Sequence, residues 1–460
     1  MGIKKNSKLL LISFSIVFGW VMSLPYEGPI LYAFADLKGF DGIQMNTITV
    51  FMHFAGLLLG AFFSKDIIKA KSNIVFWIST CIVISLLIPF VSVTYWLYMI
   101  PFLAFVTGLI ISSNAFFIRN FVPIEERTKM VSDILIWGNI ILIASALFAM
   151  NIHPMIAFSF IQVLMFIALY TVLKMDIEVG VQIEFDEEKN DVTVFKKLWI
   201  FFLFIFIITI NSGIMFQVIY PYFSDFTELV SLYTNIPYIA AIFILSRFYK
   251  KNKFYFLYVG LALWGMTFII FAFANQTPLS FVLICTLMLF SAGIFDLFWW
   301  GVMATHMDHL KNPARLFGVG LSINVFGVWV GGLIGNYMMN VGADNQTLAF
   351  FGLFIVIVSM LIILPLNSKL SDQLESYEFL VELHYVDKNA LVFYLDKVTT
   401  VLSKREYDVF ELLIDGKTDS EMSKLLFISP HTIKTHNRSI YKKLKVSNRV
   451  ELLEQIKKLA

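Results

Sequence analysis

The stretch SPHTIKTHNRSIYKKL, residues 429–444, is polar and strongly basic, yet it stands near the end of a chain otherwise rich in Phe, Ile, Leu and Val. Its reading divides the molecule. Ser429 suits a helix N-cap, and Pro430 suits the first helical position, where its missing N–H costs nothing. No Gly or Pro interrupts the residues that follow. Ile433, Ile440 and Leu444 then form an inner face, while Lys434, Thr435, Arg438 and Lys442 share the solvent-facing side. Such a helix is made for water, so it belongs to a domain distinct from the apolar bulk of the chain.

The neighbouring residues supply the rest of that domain. Ser403 followed by Glu406 makes a capping box, Phe410, Leu413 and Ile414 give an apolar stripe, and Gly416 stops this first helix. A second helix is predicted from Asp419 to Leu426, with Met422, Leu425 and Leu426 inward. A fourth carries Leu452, Ile456 and Leu459 in register. The whole run, LSKREYDVFELLIDGKTDSEMSKLLFISPHTIKTHNRSIYKKLKVSNRVELL (residues 402–453), closely resembles the LuxR-type helix-turn-helix domain. The likeness lies in Leu-Ser-x-Arg-Glu, Gly416, Ile428-Ser429, Thr432-Ile433-Lys434, His436, Ile440, Lys443-Leu444 and Arg449. Met422-Ser423 departs from the usual Ile-Ala, and Asn437 stands at a commonly aliphatic place. The resemblance implies double-stranded DNA as partner, a homodimer on DNA, Lys434, Thr435 and Arg438 facing bases, and Thr432, Lys442 and Lys443 holding phosphates. Elementary physics agrees, since a cationic helix face supplies phosphate affinity and donors that read guanine edges. His436 falls at the inner edge of the helix, which predicts a packing role.

The remainder is built for lipid. Of 460 residues 58% are hydrophobic and 15% charged, and 15 of the 35 Lys and Arg lie beyond position 367. Apolar stretches long enough to cross a bilayer recur about twelve times between Leu9 and Leu366, at roughly 9–33, 43–64, 74–93, 95–117, 130–150, 154–174, 197–220, 229–247, 254–274, 279–303, 316–340 and 347–366. Continuous helices are the expected form, because an unpaired backbone group in hydrocarbon is costly. Basic residues alternate between gaps: Lys4, Lys5 and Lys8, then Lys65, Lys69 and Lys71, then Arg119, Arg127 and Lys129, then Arg247, Lys250, Lys251 and Lys253. The gaps VSVTY, NIHP and NQT lack them, and Lys38 alone stands on that side. By the retention of Lys and Arg inside, the protein is expected in a bacterial inner membrane with both termini cytoplasmic. Ala33–Ala35 mimics a signal cleavage site, but the apolar run before it is too long for a signal peptide, so retention of the first span is expected. Cys81 and Cys285 sit in apolar runs without nearby second ligands and read as small core residues.

The polar stretch MDIEVGVQIEFDEEKNDVTVFKKL (residues 175–198) separates two sets of six spans. The halves echo one another: GLIISSNAFFIRNFVPIEERTK (108–129) leads into span five and AGIFDLFWWGVMATHMDHLKNPARL (292–316) into span eleven. With the spans and central loop, this resembles the major facilitator superfamily. The loop between spans two and three, GAFFSKDIIKAKSN (60–73), keeps Gly60, Asp66 and scattered lysines but departs from that family's transporter pattern. Intramembrane polar groups are costly and hence functional candidates. Glu27 lies in span one, Asn114 in span four, Asn211 and Gln217 in span seven, and Asp296 in span ten. The resemblance implies that these spans line a central cavity. Trp299, with Trp20 and Trp300, offers aromatic walls.

No nucleotide-binding loop, nucleophile triad or metal-ligand spacing occurs, so no enzyme activity, metal or cofactor is expected. The expected architecture is all-α: a polytopic six-plus-six membrane helical bundle over 1–366, a linker over 367–401, and a four-helix LuxR-type domain over 402–460. The function expected is a one-component transcriptional regulator, embedded in the lipid bilayer, that senses an unknown small-molecule ligand through its membrane domain and binds promoter DNA through its helix-turn-helix. A secondary transporter carrying a regulatory DNA-binding domain is the alternative, and a protein-docking tail is a third reading.

Overall fold

The computed structural model describes residues 2–26, 28–39, 46–180, 191–226, 233, 235–248, 253–384, 394 and 398–457. Every element among them is a helix. Glu27 and residues 181–190 of the central loop lie outside the described residues. The chain forms two compact units, Met1–Ile363 and Leu364–Ala460.

In the first unit the helices are α1 (Gly2–Ser23), α2 (Pro29–Leu37), α3 (Asn46–Phe63), α4 (Ile67–Leu87), α5 (Val93–Phe121), α6 (Ile124–Asn151) and α7 (Pro154–Lys174). After the central loop come α8 (Asp191–Ile214), α9 (Asn235–Phe248), α10 (Lys253–Ala272), α11 (Pro278–His306) and α12 (Pro313–Asn340). The boundary between the units falls within α13 (Asn345–His384). Among the described residues ten helices are long and apolar enough to cross a membrane, and two shorter apolar ones, Thr47–Phe63 and Asn235–Arg247, stand where spans two and eight are expected. Local chemistry sets many of the starts. Asp66 accepts the Lys69 N–H at 2.7 Å to cap α4, while His153, Thr277 and Asn312 cap α7, α11 and α12 immediately before a proline.

Two spans depart from the continuous helices that the sequence predicts. Span one stops at Ser23 and restarts at Pro29, across Pro25 and Gly28. A Cβ at Gly28 would stand 2.0 Å from the Ser23 carbonyl, so the chain turns back on α1 in a way no other residue permits. Span seven passes into a π-helical turn, Met215–Ile219, just before Pro221. Broken helices are tolerated at membrane depth where protein buries the backbone.

The helix pairings repeat between halves. In the first, α1 packs on α6 and α3 and α4 on α5; in the second, α8 packs on α12 and α9 and α10 on α11. These three contacts of the first half thus have counterparts six spans later. Small residues allow the closest approach: a Cβ on Gly213 of α8 or Gly331 of α12 would come within 2.2 Å or 2.0 Å of the facing backbone oxygen. The halves meet along α3 against α12 and α6 against α9 and α11.

The second unit holds α14 (Lys404–Ile414), α15 (Asp419–Leu425), α16 (Pro430–Leu444) and α17 (Arg449–Lys457). Its core gathers Val409, Phe410, Leu413, Met422, Ile433, Ile440, Leu444, Leu452 and Ile456. It also takes in Tyr394 and Val398, from the stretch that reads as linker, and the Tyr394 hydroxyl donates to Gln455 Oε1 at 2.9 Å.

Candidate nucleic-acid interface and intramembrane polar groups

The second unit is assembled around caps. Ser403 and Glu406 form the expected capping box on α14, and Thr418 with Glu421 forms another on α15. Gly416 adopts a φ of +73°, which ends α14. Ser429 Oγ accepts the Thr432 N–H at 3.0 Å and starts α16. Ile433, Ile440 and Leu444 are buried, and Lys434, Thr435, Arg438 and Lys442 are exposed along the other side. Successive cations at 434, 438 and 442 lie one helical turn apart, so they form a row.

Other expected side chains are placed differently. The Thr432 hydroxyl is 2.8 Å from Ser429 Oγ, within the cap, and Thr435 Oγ1 donates to the His431 carbonyl at 3.1 Å. Lys443 Nζ donates to Glu406 Oε2 at 2.6 Å, a partner 37 residues away within the domain. His436 is only half-buried, and the fully inward position beside it is Asn437. Asn437 Nδ2 donates to Asp419 Oδ1 at 2.8 Å, which ties α16 to the start of α15 with a polar bond at a commonly aliphatic place. Leu425, predicted inward, is exposed; Leu459 lies outside the described residues. Arg449 is buried and donates to the Leu413 and Lys417 carbonyls, fastening α17 to the end of α14.

Within the bundle the candidate groups stand on separate helix seams. Asp296 of α11 is half-buried and its Oδ2 accepts from the Tyr238 hydroxyl of α9 at 2.5 Å. Trp299 is buried and stacks on Phe295 at 6.4 Å, and among the described residues its Nε1 has no hydrogen-bond partner. Asn211 turns toward α13 and donates to the Gly352 carbonyl at 3.2 Å, while its Oδ1 has no partner among the described residues. Asn114 is buried, and the same holds for its Oδ1. Gln217, on the π-helical turn, lines a small cleft with Thr47, Val50, Val328 and Trp329, where α3 meets α8 and α12.

Two features were not foreseen. His53 is buried on α3, where its Nδ1 lies 2.9 Å from the Ala104 carbonyl and its ring 5.3 Å from that of Tyr26. The two echoing segments of sequence also bond to each other. Arg127, 1% exposed, pairs with Asp308 at 2.8 Å, and Arg119 Nη1 donates to the Leu310 carbonyl at 3.1 Å. Asn312 Nδ2 donates to the Ala61 and Ser64 carbonyls, and Asp133 pairs with Arg247. All these ties cross between the halves at the end that carries the basic loops.

Comparison with known proteins agrees with both units. The family model of the bacterial regulatory proteins of the luxR family (GerE) matches residues 400–455. An uncharacterized response regulatory protein, YgeK of Escherichia coli (strain K12), is 40% identical over 53 residues, 12% of this chain and 36% of that protein. The HTH-type transcriptional regulator MalT of Yersinia pestis (strain Pestoides F) is 36% identical over 61 residues, 13% of this chain and 7% of that protein. The chain thus spans about a third or less of these relatives, in this one domain. Among solved structures, the human organic anion transporter MFSD10 (TETRAN) has a TM-score of 0.60 at 11% identity, over 79% of this chain and 100% of that one. A bacterial homologue of the iron transporter ferroportin, in an outward-facing state, gives 0.58 at 12% identity, over 80% and 100%. The C-terminal domain is a LuxR-type DNA-binding regulator domain, and the helical region before it has the major facilitator fold.

Proposed function

We propose that the chain is a one-component membrane transcription regulator: residues 1–366 sense a small molecule, 367–401 connect, and 402–460 bind promoter DNA. The observation that carries this reading is the joining, in one chain, of a LuxR-type domain with an exposed cation row to a bundle of major facilitator fold. Lys434, Thr435 and Arg438 face base edges; Lys442 and the Thr432 end of α16 meet phosphates. Lys443 acts mainly within the domain, through Glu406. The DNA-bound form is a homodimer. Both termini lie in the cytoplasm of a bacterial inner membrane, in keeping with the alternation of basic loops.

The ligand is neutral or cationic with hydrogen-bond donors, or a proton replaces it. Asp296 is an intramembrane acid whose hydrogen-bond partner is a tyrosine hydroxyl. Asn114 and Asn211 add unpartnered carbonyl oxygens. Ligand binding shifts the equilibrium between arrangements of the two halves, by no more than its differential affinity for them. Genome-wide mapping of bound DNA, with wild type beside a Lys434→Ala, Arg438→Ala double variant, tests the reading. Discrete sites lost in the variant support it, and absence of enrichment with wild type refutes it. A transporter with a regulatory domain is the second reading, favoured by the bundle's coverage of whole transporter chains. Uptake or efflux by reconstituted vesicles separates the two.

A further inference from the structure

The turn between α15 and α16 holds a feature that the cation row does not explain. Phe427 is 93% exposed and has a φ of +55°, a left-handed conformation that a bulky residue adopts only at a cost. The φ is that of the left-handed residue that ends α15, a place where Gly or Asn is usual, so the large ring held in water there gains nothing for the fold. A ring kept at such a place has a use only if its position is fixed.

The surroundings do fix it. The Leu426 carbonyl accepts from Arg405 Nη2 of α14 at 2.9 Å, the Leu426 N–H donates to the Met422 carbonyl at 2.9 Å, and the Ile428 N–H donates to the Ser423 carbonyl at 3.1 Å. Two residues later Ser429 caps α16. The ring is therefore presented on a rigid turn at the leading end of the helix whose exposed side carries Lys434 and Arg438. Arg405 reaches the backbone just before the ring, and the exposed Lys424 and Lys434 flank it in sequence. Cations on this turn and its two helices suit a polyanion better than an apolar protein patch.

We infer that Phe427 is an apolar DNA contact at the edge of the interface, its ring seated against carbon on the groove wall. This rests on the DNA-binding reading above. Two sources of such carbon exist on duplex DNA, the deoxyribose and the thymine methyl group. The turn precedes the helix residues that face bases, which puts the ring beside them and not over the centre of the site.

The test uses the full chain in lipid nanodiscs and the duplex it selects from a random pool. Asn tolerates left-handed φ, so Phe427→Asn removes the ring while keeping the turn. Its affinity falls about tenfold, the change expected from uncovering most of one aromatic face. The salt dependence of binding keeps its slope, because the ring carries no charge. Phe427→Tyr, which retains the ring, binds as wild type does. Replacing each thymine of the duplex by deoxyuracil distinguishes the sources: a position where wild type loses affinity and Phe427→Asn does not marks a methyl contact, and no such position marks the sugar. Unchanged affinity of Phe427→Asn, with Lys434→Ala still impaired, overturns the inference and leaves the DNA-binding reading intact. Unchanged affinity combined with lost transcription assigns the ring to a protein and also overturns it. If wild type selects no duplex, both readings fall.

Discussion

Glu406 is the polar keystone of the DNA-binding domain, and its charge sets a measurable pH dependence. It is 6% exposed. Oε2 accepts from the Ser403 N–H at 2.8 Å, the Ser403 hydroxyl at 2.7 Å and Lys443 Nζ at 2.6 Å, while Oε1 accepts from the Ser439 hydroxyl at 2.6 Å. Burial alone raises the carboxyl pKa. The bonds from Lys443, Ser439 and Ser403 outweigh it and hold the group at about 2, against an ordinary 4.5. A pKa lower in the folded state adds stability above the unfolded value, and that stability is lost as pH falls from about 4.5 through about 2. At neutral pH the shift is equivalent to at most about 3 kcal/mol, and water around the 39%-exposed Lys443 reduces it, yet it remains a sizeable share of a small domain's stability. The assay is urea unfolding of residues 364–460, which form a compact unit with its own core, followed by circular dichroism at pH 7, 5 and 3. Glu406→Gln is less stable than wild type by about 1–3 kcal/mol at pH 7, and the gap narrows to about half by pH 3. Comparing variant with wild type at each pH cancels the other carboxylates. A gap that does not change between pH 7 and pH 3 refutes the reasoning.

Lys434→Ala or Arg438→Ala costs about 1–3 kcal/mol on selected duplex and relaxes sequence preference, whereas Lys442→Ala weakens all duplexes alike and lowers the salt slope by about 1, as fluorescence anisotropy at several salt concentrations reads. Equal losses on selected and random DNA for all three variants refute this division of roles. A periplasm-dependent reporter is active when fused at Gln276 and silent after Ala460; activity after Ala460 contradicts the assigned orientation. Asp296→Asn abolishes or locks the transcriptional response to the native inducer while the full chain still accumulates in the membrane at the wild-type level, and Glu27→Gln has the smaller effect; a wild-type dose response from both variants moves the sensor elsewhere.

The DNA-binding domain was legible because its rules are local. A Ser403–Glu406 capping box, a Gly416 stop and a Ser429-Pro430 start each act within one helical turn, and all appear in the structure. Partners distant in sequence were not legible. Lys443 reads as one more surface cation until Glu406, on another helix, is seen to hold it. Leu425 keeps helical spacing with Met422 but faces water, since a seven-residue helix buries only part of its apolar stripe. In the bundle, hydropathy averages over a window and so found the spans, yet it passed over the break at Gly28 and the π-helical turn at Met215–Ile219. Nor does position within a span fix direction: Asn211 and Asp296 both sit in spans expected to line a cavity, and they bond to α13 and α9.

The ties between halves bound how large a signal must be. At the basic-loop end Arg127 is enclosed, donating to Asp308 and to the Val122, Ala304 and Arg119 carbonyls. Three of these four acceptors are retained only while residues 304–308 stay against the start of α6 or the end of α5 stays folded beneath it. A switch that separates the halves here must release the guanidinium from Asp308, and an uncompensated buried charge costs about 3–5 kcal/mol. A ligand moves such an equilibrium only through its preference for one arrangement, so a full switch needs a preference on the order of 10³-fold or more. One hydrogen bond, made by a solute or altered by a proton, supplies only part of this. The proposed sensing site therefore has to engage several groups at once, Asp296 with neighbouring polar atoms across more than one seam, or the Arg127–Asp308 pair must be exchanged for water as the end opens.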